Sequence, residues 1–161
     1  MIYLLYTTVT LFFTLGNIDE TPIVILSYDE CSDYSNLLLE GYVDLLICAR
    51  GDLLNDSNTD NYEILKEFNA SRRIVVSGLE NQNKLSRLFR MVDLACPDFL
   101  GSYNQFKKKF IKPMEEGSKP NASADKQRLK EERAKELDGL LRKCLIRRTK
   151  SEIENENSSS E

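Results

Sequence analysis

DLLICARGDLLND, residues 44–56, is the stretch whose reading decides the fold. With Val43 it forms a near-continuous apolar run, VDLLICA (43–49), stopped by Arg50, Gly51 and Asp52. A run that short and that apolar suits a strand of a parallel sheet, where both faces are covered. On its N-terminal side lie TPIVILSY (21–28), a second apolar run, and DECSDYSNLLLEG (29–41), which reads as a helix closed by Gly41. On its C-terminal side, TDNYEILKEFN (59–69) has helix spacing through Tyr62, Ile64, Leu65 and Phe68. RRIVVSG (72–78) then gives a third strand and KLSRLFRMVDLA (84–95) another helix. Apolar strands alternating with amphipathic helices predict βαβ units, so the fold class is α/β, a parallel sheet with helices on both faces.

Beyond Pro97 the pattern changes. YNQFKKKF (103–110) predicts a short basic helix, residues 113–123 a loop, and residues 124–148 a long helix with an apolar stripe through Leu129, Ala134, Leu137, Leu140, Leu141, Cys144 and Leu145. ENENSSSE carries no core-forming side chain and reads as a disordered tail. The expected organisation is an apolar N-terminal segment (1–20), a partial lobe (21–101), a basic helical extension (102–150) and the tail (151–161). MIYLLYTTVTLFFTLG (1–16) lacks a basic leader and falls short of the ~20 residues of a membrane helix. Its β-branched and aromatic content suits a core strand or an ill-formed edge better than a signal or anchor, so no membrane partner is expected.

Charge is unevenly placed. The net is −4, yet residues 103–152 hold 15 lysines and arginines against 8 acids, which leaves 7 against 18 elsewhere. Such asymmetry permits a polyanionic partner, although Lys and Glu mixed along a helix also describe a solvated face. The four cysteines are scattered and there is no histidine, so no structural zinc site is expected. Cys48 in an apolar strand and Cys144 on an apolar helix face read as small buried hydrophobes of a reducing compartment.

In open parallel sheets ligands sit beyond the carboxyl ends of the strands. Here those positions are Ser27-Tyr28, Ala49-Arg50-Gly51-Asp52 and Ser77-Gly78-Leu79-Glu80. DLLICARGDLLNDSNTDNY, then RRIVVSGLENQN, FLGSYNQFKKKF and CLIRRTKSEI together resemble the first RecA-like lobe of Swi/Snf-type DNA translocases, in helicase superfamily two. The similarity spans about residues 21–153 and is greatest to the recombination-repair branch.

That resemblance implies a site that has lost its chemistry. The family's strand runs into Asp-Glu-Gly-His; here Ala49 stands for the magnesium-holding Asp, Arg50 for the water-orienting Glu and Asp52 for the His, with Gly51 alone kept. In the family's Ser-Gly-Thr-Pro-x-Gln-Asn motif, Ser77, Gly78, Gln82 and Asn83 match, while Leu79-Glu80 replaces Thr-Pro. Alanine offers no oxygen to a metal, and a guanidinium accepts no proton. The resemblance also places the phosphate cradle upstream of Met1 and the second lobe downstream of the tail. ATP and magnesium, the family's cofactors, are therefore not expected here.

Three roles follow as expectations. One is a catalytically inactive, DNA-associated or partner-binding module of the nucleus, linked by resemblance to homologous recombination, DNA repair or chromatin remodelling. Its phosphate contacts would come from Lys107, Lys108, Lys109, Arg147 and Arg148, weakly and without sequence preference. The lysines also suit a plain solvated helix face, and the two arginines an ion pair with helix acids. The second role is a protein-interaction scaffold, partnered or self-associating along an uncovered sheet edge. The third, an enzyme using Asp52, Asp56 and Glu80, competes with the ordinary use of such acids as loop residues. Arg50 could neutralise a phosphate, or pair with one of those three acids and fill the cleft.

Overall fold

The computed structural model describes residues 2–5, 23–53, 59–78 and 84–148. Gln82, Asn83, Asp56, Glu80 and the 151–161 tail lie outside them, as does most of the apolar N-terminal segment. Contacts divide the chain into two compact units, residues 1–111 and 112–161, a division later than the change of pattern at residue 102.

The first unit is built on a four-stranded parallel sheet. Its strands are β1 (Ile2–Leu5), β2 (Ile23–Leu26), β3 (Tyr42–Cys48) and β4 (Asn69–Val75), in the order β2-β1-β3-β4. The N-terminal strand therefore sits inside the sheet, paired on both sides, and is no edge. Leu5 is in register with Leu26 and Cys48, and Cys48 with Val75, so all four strands end on one line. The described segments that follow β2, β3 and β4 share one rim.

Helices α1 (Tyr28–Asp33), α2 (Ser35–Glu40), α3 (Thr59–Glu67) and α4 (Leu85–Ala95) supply the rest of the core. Val24, Leu26, Val43, Leu46 and Cys48 pack with Tyr28, Cys31, Leu38, Tyr62, Leu65, Phe68 and Leu94. The single helix expected over 29–41 is broken at Tyr34, where Ser35 and Asn36 follow, residues that favour local turns over helix. α1 begins with a capping box in which Ser27 Oγ accepts from the Glu30 amide at 3.1 Å and Glu30 Oε2 accepts from the Ser27 amide at 2.7 Å. At the other end of the sheet, Arg73 closes α3 by donating to the carbonyls of Leu65 (3.0 Å), Lys66 (3.1 Å) and Phe68 (2.5 Å), which have no partner within the helix. Cys31 and Cys48 are fully buried, and burial pushes both thiols up to about 12; Cys96 and Cys144 are half-buried, and none of the four is in a disulfide.

After α4 the chain turns through Asp98 and Gly101, both with positive φ (63° and 73°), into α5 (Tyr103–Phe106). α5 runs on as one π-helical turn, Lys107–Ile111.

The second unit is a helical hairpin of α6 (Lys112–Gly117) and α7 (Ala124–Leu141). α6 occupies part of the expected loop, because Pro113 is tolerated in a first turn and Met-Glu-Glu favours helix. A Cβ on Gly117 would lie 2.6 Å from both the Lys126 carbonyl and Lys130 Cβ, so the two helices approach as closely as only glycine allows. α7 stops at Leu141, short of the 148 expected, and residues 145–148 are not helical. Of its stripe, Leu137 is buried, while Leu129 and Leu145 are exposed. Among the described residues no helix is long and apolar enough to cross a membrane.

Candidate functional site

The rim where the strands end gathers the first candidate residues. Past Cys48 the chain makes a tight turn through Ala49 and Arg50, followed by one 3-10 turn, Gly51–Leu53. The turn is fastened by main-chain bonds: Val76 N–H donates to the Cys48 carbonyl and Gly51 N–H to the Val76 carbonyl, each at 2.8 Å. Tyr28 Oη donates to the Ala49 carbonyl at 2.6 Å. A Cβ on Gly51 would lie 2.5 Å from Val75 Cγ1 and 3.4 Å from Met91 Sδ, which gives this glycine a packing reason.

Arg50 has φ 60°, a left-handed conformation that bulky residues rarely adopt. Its guanidinium forks onto Asp52, with Nε 3.1 Å from Oδ1 and Nη2 3.0 Å from Oδ2. Of the three acids weighed as its partner, Asp52 is the one among the described residues, and it is bonded to Arg50. The Arg50 hydrogen bonds hold the Asp52 carboxyl below the usual carboxylate range. Ala49 has only a methyl side chain, so the position that stands for the magnesium-holding Asp offers no side-chain ligand. Among the described residues of this turn the one carboxylate, Asp52, is already engaged by a cation. This donor set does not fit magnesium-bound nucleotide, and among the described residues no group of three or more metal-ligating side chains occurs. Ser77 and Gly78 follow β4 on the same rim, with Ser77 Oγ donating to the Gly78 carbonyl at 3.4 Å.

The lysine candidates occupy a different place. Ser102 caps α5 reciprocally with Gln105, accepting the Gln105 amide at 3.4 Å while Gln105 Oε1 accepts the Ser102 amide at 3.0 Å. Phe106 and Phe110 are both buried, their ring centroids 5.1 Å apart, and Phe106 lies 5.0 Å from Phe89. With both phenylalanines turned inward, Lys107, Lys108 and Lys109 are all exposed on the turn between them. Lys109 Nζ lies 5.2 Å from the Phe110 ring centroid. Arg147 and Arg148, in the second unit, are exposed on the non-helical stretch after α7 beside Ile146, which is 90% exposed.

A second polar cluster lies away from every site residue singled out in the sequence. Asp93, in the last turn of α4, is buried. Its Oδ2 accepts from Lys66 Nζ at 2.8 Å and from the Tyr62 hydroxyl, and its Oδ1 accepts from the Asp98 amide at 3.2 Å. Burial pushes this carboxyl up, but the bonds from Lys66, Tyr62 and Asp98 outweigh it and hold the group below its ordinary value. The Asp93 bond in turn raises Lys66. A cleft of about 210 Å3 opens over this knot, walled by Tyr62, Lys66, Phe89, Arg90 and Tyr103. A charged residue between Val92 and Leu94 on an apolar helix face was the one signal available.

A family profile described as SNF2-related domain matches residues 11–159. A Homo sapiens DNA repair and recombination protein RAD54-like is 38% identical over 129 residues, covering 80% of this chain and 17% of that protein. The Mus musculus counterpart is 40% identical over 130 residues, with the same coverage. The chain thus spans about a sixth of the length of these relatives. Two solved structures are similar with TM-scores of 0.62 and 23% identity: the Sulfolobus solfataricus SWI2/SNF2 ATPase core in complex with dsDNA, covering 80% of this chain and 25% of that one, and the core domain, covering 94% and 29%. At that identity the likeness is one of fold, a RecA-like Swi2/Snf2 core.

Proposed function

The chain belongs to the SNF2-related domain family, and on that premise we propose that it is a non-catalytic, DNA-associated module acting in the nucleus in recombination or repair. The observation that carries the DNA contact is the π-helical turn, which exposes Lys107, Lys108 and Lys109 in succession between two buried phenylalanines. Three ammonium groups on an anchored turn can meet neighbouring phosphates and carry no base-reading geometry. The non-catalytic reading is supported by the rim: Ala49 has no side-chain oxygen for a metal, and Arg50, paired with Asp52, stands where the resembled family has its water-orienting Glu. The relatives named for DNA repair and recombination supply the biological setting.

Titration of labelled duplexes at several salt concentrations tests this reading. About three phosphate contacts give a slope of log affinity on log salt near −2.7. Replacing Lys107, Lys108 and Lys109 with alanine flattens that slope for all base sequences alike. No binding at low salt, or a strong base preference, overturns the proposal. So does DNA-stimulated phosphate release from ATP that is abolished by Asp52→Ala.

A second reading, a protein-interaction scaffold, draws on the outer strand. β4 is outermost among the described strands, and Ile74 and Val76 on and beside it are 46% and 54% exposed. Such an edge offers unpaired main-chain groups and apolar side chains to an added strand.

A further inference from the structure

We propose that Asp93 is a positioning residue for the lysine turn: its carboxylate holds the loop from which Lys107, Lys108 and Lys109 are presented. The inference rests on the DNA-contact reading and adds to it the device that sets the contact's geometry.

The chain of contacts is continuous. Tyr62 and Lys66, one helical turn apart on α3, grip Oδ2 of Asp93, so α3 and α4 are joined at one point. Oδ1 accepts the amide of Asp98, the residue whose positive φ reverses the chain after α4. The Asp98 carbonyl then accepts the Gly101 amide at 3.0 Å, and Gly101, also at positive φ, delivers Ser102 as the cap of α5. From there the rings take over: Phe89, four residues before Asp93 on the same helix, meets Tyr103 at 5.3 Å and Phe106 at 5.0 Å, and Phe106 meets Phe110. The three lysines lie between the last two rings.

Two features make Asp93 the pivotal member. Gly101 takes its positive φ freely, but Asp98 is a non-glycine residue in the left-handed region, and the Asp93–Asp98 bond fastens this strained position to the helix. Asp93 is also the only group in this chain of contacts that touches α3, α4 and the turn at once. Without it, the rings still attract one another, but nothing fixes the direction in which α5 leaves α4.

The test uses the 161-residue chain and matched charge changes. Asp93→Asn and Asp98→Gly each remove one negative charge. Asp98→Gly keeps the amide that bonds Asp93 and tolerates the positive φ, whereas Asp93→Asn weakens the hold on all three donors. Amide hydrogen exchange at residues 98–111 should accelerate by ~10-fold or more in Asp93→Asn relative to β3 amides, and stay near wild type in Asp98→Gly. Duplex affinity at low salt should fall about five-fold in Asp93→Asn, against the electrostatic expectation for a more positive chain, and hold or rise in Asp98→Gly. Unchanged exchange at 98–111, or equal tightening in both variants, overturns the proposal. If Asp93→Asn does not fold, Tyr62→Phe, which removes one donor, should show the same exchange pattern at roughly three-fold; no change there overturns it equally. If wild-type chain binds no duplex, the DNA-contact reading fails, and the exchange pattern alone decides the role of Asp93.

Discussion

Two acid–base pairs of the first unit have similar chemistry and opposite consequences. Arg50–Asp52 sits on the rim with its side chains 53% and 9% exposed, and Lys66–Asp93 joins two helices with its side chains 37% and 2% exposed. Water reaches the cation of both pairs, but Asp93 is also held from within the fold by the Tyr62 hydroxyl and the Asp98 amide. An exposed pair is screened and contributes about 0–1 kcal/mol. A buried carboxylate that loses its partners leaves a charge with nowhere to go, at a cost of roughly 3–5 kcal/mol. The rim pair can therefore drift in sequence with little structural penalty, while the knot is held in place by the fold around it.

The largest expected effect breaks the knot from the cation's side. Lys66→Met leaves Asp93 only Tyr62 and the Asp98 amide and should destabilise the first unit by about 1.5–3 kcal/mol, seen as a lower midpoint in urea unfolding followed by a first-unit probe. A loss under about 1 kcal/mol would put the knot in the same class as the rim pair. The same contrast is legible in pH. Asp93 is held below its unfolded value, so its contribution is complete above about pH 4 and is lost as pH falls through the lower folded value. Lys66 is raised, so its contribution is complete below about pH 10 and is lost only as pH rises through the higher folded value. Asp52 shares the sign of Asp93, but its exposed partner makes its share of the acid limb the smaller one.

An intermediate effect sharpens the comparison by testing the rim's backbone instead of its charges. Gly51→Ala drives a methyl into Val75 and should cost about 1–3 kcal/mol, measured in the same unfolding assay. The smallest effect is expected at the rim charges themselves: Asp52→Ala should shift stability by no more than about 1 kcal/mol. If Asp52→Ala proved costlier than Gly51→Ala, the rim would be held by its ion pair and not by its main-chain bonds.

Much of the sheet was legible because buried parallel strands are almost wholly apolar. VDLLICA (43–49) contains β3, TPIVILSY (21–28) contains β2, and the helix read at 84–95 is α4 to within a residue. β4 was placed late, because Asn69, Ala70 and Ser71 carry no strand signal of their own and are drawn into the ladder by Tyr42 and Val43. β1 was left between core and edge, since a four-residue strand takes its place from two neighbours that local pattern does not identify. The rim turn could be located from the end of β3, but the fork of Arg50 onto Asp52 involves a left-handed backbone invisible in the letters. Asp93 was passed over for the same kind of reason. Tyr62 and Lys66 are 31 and 27 residues away in sequence, and only the packing of α3 on α4 makes them its ligands.

The cysteines turn the molecule into its own stopwatch. Cys31 and Cys48 lie in the sealed core with thiols pushed up to about 12, whereas Cys96 and Cys144 stand half-open, one in each compact unit. A thiol reagent at neutral pH should therefore tag two positions quickly and wait for the sheet to open before tagging the other two. The slow phase times the breathing of the first unit, and the fast phase leaves a single handle on each unit for a spectroscopic label, with no residue changed.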